Sequence, residues 1–118
     1  LVLHAAPLEW SSSDELLVTV YWEAARPVSE DYSVAVHLVA RDPPQSPADI
    51  LAQADRSHPV DGWYPVSRWQ AGEIVRDTYA LGVPDQSVPV AVRMALYRTD
   101  AQGGFVNSPW VSLPVPPP

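Results

Sequence analysis

The chain has 118 residues, too few for two independent hydrophobic cores, so it reads as one domain. Apolar residues make up 47% and charged residues 18%, a balance that excludes a disordered chain, and the absence of cysteine excludes disulfide frameworks and thiolate metal sites. Fourteen acidic residues against seven basic ones give a net charge of −7, which repels phosphate backbones and anionic lipid and removes nucleic acid from the expected partners. All seven basic residues are arginine, a pattern we attribute to the base composition of the gene and not to phosphate recognition.

Leu1 to Leu8 reads as an edge strand, where Pro7 is tolerated because an edge need not donate every hydrogen bond. A turn at Ser11-Ser12-Ser13-Asp14 leads to strict alternation: Leu16, Val18, Val20 and Trp22 on one face, Leu17, Thr19, Tyr21 and Glu23 on the other. This is a central strand, with Trp22 as a structural residue of its apolar face. After Arg26-Pro27, a second central strand sets Tyr32, Val34, Val36, Leu38 and Ala40 against Ser33, Ala35, His37 and Arg41. Beyond Asp42-Pro43-Pro44, two readings stay open. Ser46-Pro47-Ala48-Asp49 suits the start of a short helix, while Ile50 to Asp55 alternates as a strand.

Ile74 to Leu81 is a strand with Val75, Asp77, Tyr79 and Leu81 on one face. Past the Val83-Pro84-Asp85 turn, Val88, Val90, Val92, Met94 and Leu96 oppose Ala91, Arg93, Ala95 and Tyr97 in a third central strand. Asp100 to Gly104 forms a hairpin-type turn, and Phe105 to Leu113 closes the domain with a break at Ser108-Pro109. Short strands with such turn spacing and no convincing helix predict an all-β antiparallel sandwich of about seven to eight strands, immunoglobulin-like or jelly-roll-like. The domain is expected over residues 1–113, with 114–118 as a proline-rich tail in extended polyproline II form. The Met-less start and this tail suggest a piece of something longer. No run of ~20 apolar residues occurs, so no direct membrane insertion of this domain is expected.

The block from Ala52 to Asp77 carries the candidate chemistry. Trp63, Tyr64 and Trp69 could form flat surfaces on which the C–H faces of sugar rings stack, with Asp61, Arg68 and Gln70 nearby for hydroxyls. The competing reading turns the rings inward to cover one end of the sandwich, where each buries roughly 150–250 Å². Asp77, on an apolar strand face, is expected to be a buried structural carboxylate partnered by Arg93, Arg68 or backbone N–H groups of the long loop. Asp55, His58 and Asp61 have a D-x-x-H-x-x-D spacing that offers metal ligands, but spacing alone makes no site, and solvated loop residues are the reading taken. His37, on the less apolar face of its strand, is read as a surface or satisfied histidine. No Gly-x-Ser-x-Gly elbow and no phosphate-cradling glycine loop is present, so neither catalysis by this chain nor a cofactor is expected.

Several segments in order resemble a β-rich module that follows the membrane-spanning part of large bacterial glycosyltransferases of the mannosyltransferase-like kind found in Chloroflexi-type bacteria. They are Val18-Thr19-Val20-Tyr21-Trp22, Asp31-Tyr32-Ser33-Val34-Ala35-Val36-His37-Leu38, Ala52-Gln53-Ala54-Asp55, the run from Tyr64 to Asp77, and Met94-Ala95-Leu96-Tyr97. The chain departs from that pattern at Arg41 to Pro47, where a longer proline-stiffened connection replaces a glycine-containing turn and unsettles the edge of the second sheet. The resemblance implies a non-catalytic accessory domain on the extracytoplasmic face of the cell membrane, as part of a larger membrane protein. Such a domain positions an acceptor or contacts the membrane-embedded part of its own protein. The alternative is a carbohydrate-binding module acting through Trp63, Tyr64 and Trp69, with a glycan as partner.

Overall fold

The structure, a computed structural model, describes residues 1–56, 60 and 63–118, with the side chain of Ala5 excepted. Among them nine strands form: β1 (Val2–Ala5), β2 (Leu8–Ser12), β3 (Glu15–Glu23), β4 (Ser33–Val39), β5 (Ile50–Gln53), β6 (Ile74–Gly82), β7 (Ala91–Thr99), β8 (Phe105–Asn107) and β9 (Val111–Pro114). One antiparallel sheet places β3 between β6 on one side and β1 and β2 on the other. The second places β4 between β5 and β7, with β8 and β9 following one another along the far side of β7. The all-β sandwich is therefore present. Its pairing of β3 with β6 and of β4 with β7 is that of immunoglobulin-like sandwiches.

Alternation builds the core. Leu16, Val18, Val20 and Trp22 of β3 and Val75, Tyr79 and Leu81 of β6 meet Val34, Val36 and Leu38 of β4 and Val92 and Met94 of β7. Trp22 is buried, as its position predicted, and its indole Nε1 has no hydrogen-bond partner among the described residues.

Several boundaries differ from expectation, each for a local reason. The first strand is two strands: Pro7 breaks it, yet Pro7 O still accepts from Thr19 N at 3.1 Å, and β2 continues through Ser11 and Ser12 so that the turn shrinks to Ser13 and Asp14. β7 begins at Ala91, not Val88; Val88 and Val90 are exposed beside Pro89, which has no N–H to give a ladder. The two readings of residues 46–55 are both realised in part, as a 3-10 turn Pro47–Asp49 running straight into β5. The edge after Arg41 to Pro47 does form, with His37 opposite Gln53 and Leu38 opposite Ala52. The break at Ser108-Pro109 separates β8 from β9 as read.

The proline tail is not free at its start. Val115 N donates to Val90 O at 3.1 Å, and the Trp10 indole N–H donates to Pro116 O at 2.9 Å. Among the described residues no helix is long and apolar enough to cross a membrane.

Candidate functional site

The aromatic block closes one end of the sandwich. Pro65 opens a one-turn 3-10 helix, Val66–Arg68, held by Arg68 N to Pro65 O at 3.0 Å and Trp69 N to Val66 O at 3.1 Å. This turn sends Val66 and Trp69 into the core, and Trp69 is left only 3% exposed. Its indole N–H donates to Tyr64 O at 3.0 Å, which folds the segment back on itself. The Tyr64 hydroxyl donates to Glu73 Oε1 at 2.6 Å, and the same oxygen accepts from Gln70 N at 3.0 Å. The hydrogen bond to Glu73 pushes the Tyr64 hydroxyl above its ordinary value, with some desolvation adding to it; the same bond, helped by Gln70 N–H, holds the Glu73 carboxyl below its own. Gly72 sits at φ 81°, a left-handed conformation that costs any residue with a Cβ, and its N–H reaches Ala24 O at 2.9 Å. Ser67 N donates to Asp31 Oδ1 at 2.8 Å, so the lid is tied to the connection before β4.

These contacts do not assemble Trp63, Tyr64 and Trp69 into one stacking surface. Trp69 is core, and the half-buried Tyr64 ring lies 6.1 Å from it at a 38° tilt. Trp63 stands apart at 83% exposure. Arg68 and Gln70 are exposed, while Asp61 and His58 lie outside the described residues, so the D-x-x-H-x-x-D spacing has no described geometry. Among the described residues no group of three or more His, Asp or Glu side chains converges as a metal site would need.

Asp77 is buried at 4% exposure, but its partner is neither Arg93 nor Arg68. The Arg56 guanidinium donates to Asp77 Oδ1 at 2.9 Å and lies 4.2 Å above the centre of the Tyr79 ring. The backbone of Arg56 pairs with Val34 at the margin of the five-stranded sheet. Its side chain therefore bridges the two sheets. Sequence reasoning missed Arg56 because the strand read there stops at Asp55; past the end of β5 at Gln53, an isolated bridge to Val34 places Arg56 over β6. Arg93 instead lies on the outer face, with its Nε 3.4 Å from Asp42 Oδ1.

A concavity of about 280 Å³ lies on the outer face of the five-stranded sheet. Its floor is Ala35 opposite Ala95, a cross-strand pair of small side chains that are 5% and 4% exposed although they point away from the core. On one side, Trp110 leans against His37 with ring centres 5.1 Å apart, and the Arg93 guanidinium covers the Trp110 ring at 4.9 Å. On the other, Tyr97 and Phe105 meet edge to face at 5.9 Å. Asp55 and Asn107, both exposed, complete the rim.

The sequence builds this groove through two ladder irregularities. Past the end of β5 at Gln53, the Asp55 side chain takes over as acceptor, Oδ1 receiving Val36 N at 3.1 Å. His37 Nε2 is buried 3.3 Å from the same oxygen, outside hydrogen-bonding alignment. At the break between β8 and β9, Ser108 replaces a ladder residue: Ser108 N donates to Leu96 O at 2.8 Å, and its Oγ accepts from Leu96 N at 2.9 Å. Pro109 then turns the chain, and Trp110 is laid across the sheet. None of Tyr97, Phe105, Asn107 and Trp110 stood out in the sequence as a site residue. The available signal was the placement of alanine opposite alanine on the outward positions of two central strands.

Comparison with protein-family models, with curated proteins and with solved structures finds no match to this chain.

Proposed function

We propose that this chain is a non-catalytic accessory module of a membrane-bound glycosyltransferase, held on the extracytoplasmic face of the membrane, where it positions an acceptor or contacts the membrane-embedded part of the same protein. The observation that carries this reading is the use made of the charged and aromatic residues of the middle block. Asp77 and Arg56 join the two sheets, and Tyr64, Trp69 and Glu73 seal the end of the core. Groups engaged in this way build a rigid platform and leave the reaction to another part of the protein. The run from Tyr64 to Asp77, which forms this seal, is also the longest segment of the resemblance to glycosyltransferase-associated modules.

A carbohydrate-binding module acting through the same loop is the second reading, and the 83% exposure of Trp63 favours it. Among the described residues no second ring flanks that indole, since Trp69 faces the core, and a single indole is a weak platform.

The test is made on the longer protein in membranes. Deleting residues 1–118 should leave sugar transfer measurable while raising KM for the acceptor, and the isolated chain should transfer nothing. Transfer by the isolated chain, or a gene with no apolar segments of ~20 residues beside this module, overturns the proposal.

A further inference from the structure

We propose that the groove on the outer face of the five-stranded sheet is a binding site for a single neutral pyranose unit of a glycan. The proposal goes beyond the accessory-module reading and does not depend on it.

The shape comes first. Residues facing outward from a solvated antiparallel sheet are ordinarily polar and stand up into water. Here Ala35 and Ala95 hollow the centre, and Ser33 opposite Tyr97 lets the tyrosine ring lie over that hollow. Aromatic side chains rise on both sides. Phe105 holds its ring 71% exposed in a position fixed by β8 pairing and by the edge-to-face contact with Tyr97. The contact with Tyr97 covers only one edge of the ring, and the rest of its apolar face stays open toward the hollow, where a ligand with an apolar face can cover it.

Charge selects the class of ligand. A cation is disfavoured, because Arg93 already occupies one face of Trp110. An anion is disfavoured by the exposed Asp55 on the rim and by the net charge of −7. A neutral ring with one apolar C–H face and equatorial hydroxyls satisfies what remains. The ring stacks on Phe105 and Tyr97, the Asp55 carboxylate accepts from a hydroxyl, and the Asn107 amide both donates and accepts. His37 backs Asp55 from beneath at 3.3 Å, and the Val36 N–H fixes its orientation. The size limits the length: about 280 Å³ is at or below the small end of ligand pockets, roughly 300–1,000 Å³, so one ring is held and a chain of rings is not.

The test uses the isotopically labelled 118-residue chain and amide chemical shifts, with titrations of methyl glycosides of glucose, mannose, galactose and N-acetylglucosamine. Glucuronate, glucosamine and a proline-rich peptide serve as competitors of other classes. The expected result is saturable, weak binding of at least one neutral glycoside, with shifts confined to Ala35, Asp55, Ala95, Tyr97, Phe105 and Asn107. Phe105→Ala, at an exposed position, should lower the melting temperature by only a few degrees, for the lost edge contact with Tyr97, and weaken binding roughly three- to tenfold, the range of one aromatic contact. Ala95→Leu should fill the floor and abolish it, while Trp63→Ala should have no effect. Absence of saturable shifts with every neutral glycoside overturns the proposal. So do shifts centred on Trp63, binding that survives both Phe105→Ala and Ala95→Leu, or binding of only the peptide or a charged sugar. Sugar binding by a protein with no membrane part would defeat the accessory reading alone; a membrane glycosyltransferase whose groove ignores every sugar would defeat this one alone.

Discussion

Replacing Asp77 by alanine removes one end of the bridge between the sheets. Its carboxylate is buried at 4% exposure and bonded to Arg56 at 2.9 Å, and the Arg56 side chain is itself mostly covered. Loss of the carboxylate removes the bond at 2.9 Å from a guanidinium that is mostly covered. Breaking a buried pair from one side costs about 3–5 kcal/mol, a large share of the roughly 5–15 kcal/mol that holds a domain folded. For a chain of this size that loss lowers Tm by roughly 10–25 °C. Asp77→Asn keeps the volume and removes only the charge, so most of the loss should persist.

Replacing both partners, as Asp77→Leu with Arg56→Met, removes the desolvation cost along with the attraction and should recover most of the stability. Urea unfolding followed by tryptophan fluorescence is suited to this, since Trp22 and Trp69 both report from the core. An Asp77→Ala protein within about 1 kcal/mol of the parent would refute the reasoning, given the cost expected for breaking a buried pair from one side. So would a double variant no more stable than the single one.

Three further outcomes follow from the lid and the tail. The lowered Glu73 carboxyl stabilises the fold above the ordinary glutamate range, and that contribution is lost as pH falls through its lowered folded value. Tyr64 acts at the other limb: its contribution is complete below the ordinary tyrosine value and is lost as pH rises through the higher folded value. Tm–pH profiles should therefore flatten on both sides for Glu73→Gln and for Tyr64→Phe, since each group's shift comes from the other; profiles that overlay the parent's would remove this role. Trp69→Ala should cost about 3–5 kcal/mol as a large core truncation, whereas Trp63→Ala, at an exposed position, should stay within about 0.5 kcal/mol by denaturant titration. Equal effects of the two would mean that the lid is not packed as described. Trp10→Phe should cost about 1 kcal/mol for the bond to Pro116 O. It should also speed amide exchange at Val115, whose N–H bonds Val90 O, and unchanged exchange would show that the tail is held by other contacts.

Much of the fold could be read from alternation, because burying one face of a sheet forces period two onto the sequence. Leu16 to Glu23 and Ile74 to Leu81 did so without ambiguity, and they supply eight of the nine residue pairs between β3 and β6. What alternation does not encode is where a strand yields to its neighbours. Pro7 interrupts β1 and β2 yet leaves both on the same partner, so a proline that signals an edge does not say whether the edge continues past it. The partner of Asp77 was illegible for a related reason. Its face and burial follow from Val75 and Tyr79, but the identity of the arginine depends on how two sheets are superposed. Arg93 and Arg68 were the side chains the sequence offered. The register of Arg56 against Val34 carries Arg56 to the carboxylate instead.

The groove was hidden by the same rule that revealed the core. Sorting each strand into an apolar face and a face for water leaves Ala35, His37, Arg93, Ala95 and Tyr97 as the watery side, with nothing further to ask of them. Yet alanine is depleted in strands, having neither the branching that packs a pleated surface nor the polarity that suits its solvated side. Two alanines opposite each other on central strands give up cross-strand contact on that face. The folded chain recovers part of it by leaning Trp110 and Tyr97 over the gap, which accounts for alanines that are buried while pointing outward. The recovery is incomplete: Phe105 stays in water and Asp55 holds a carboxylate at the rim. Small residues where a sheet would ordinarily present large polar ones are thus the trace that a concave surface leaves in a β sequence. They become readable only when the outward positions are examined as pairs across strands, with the same care given to the inward ones.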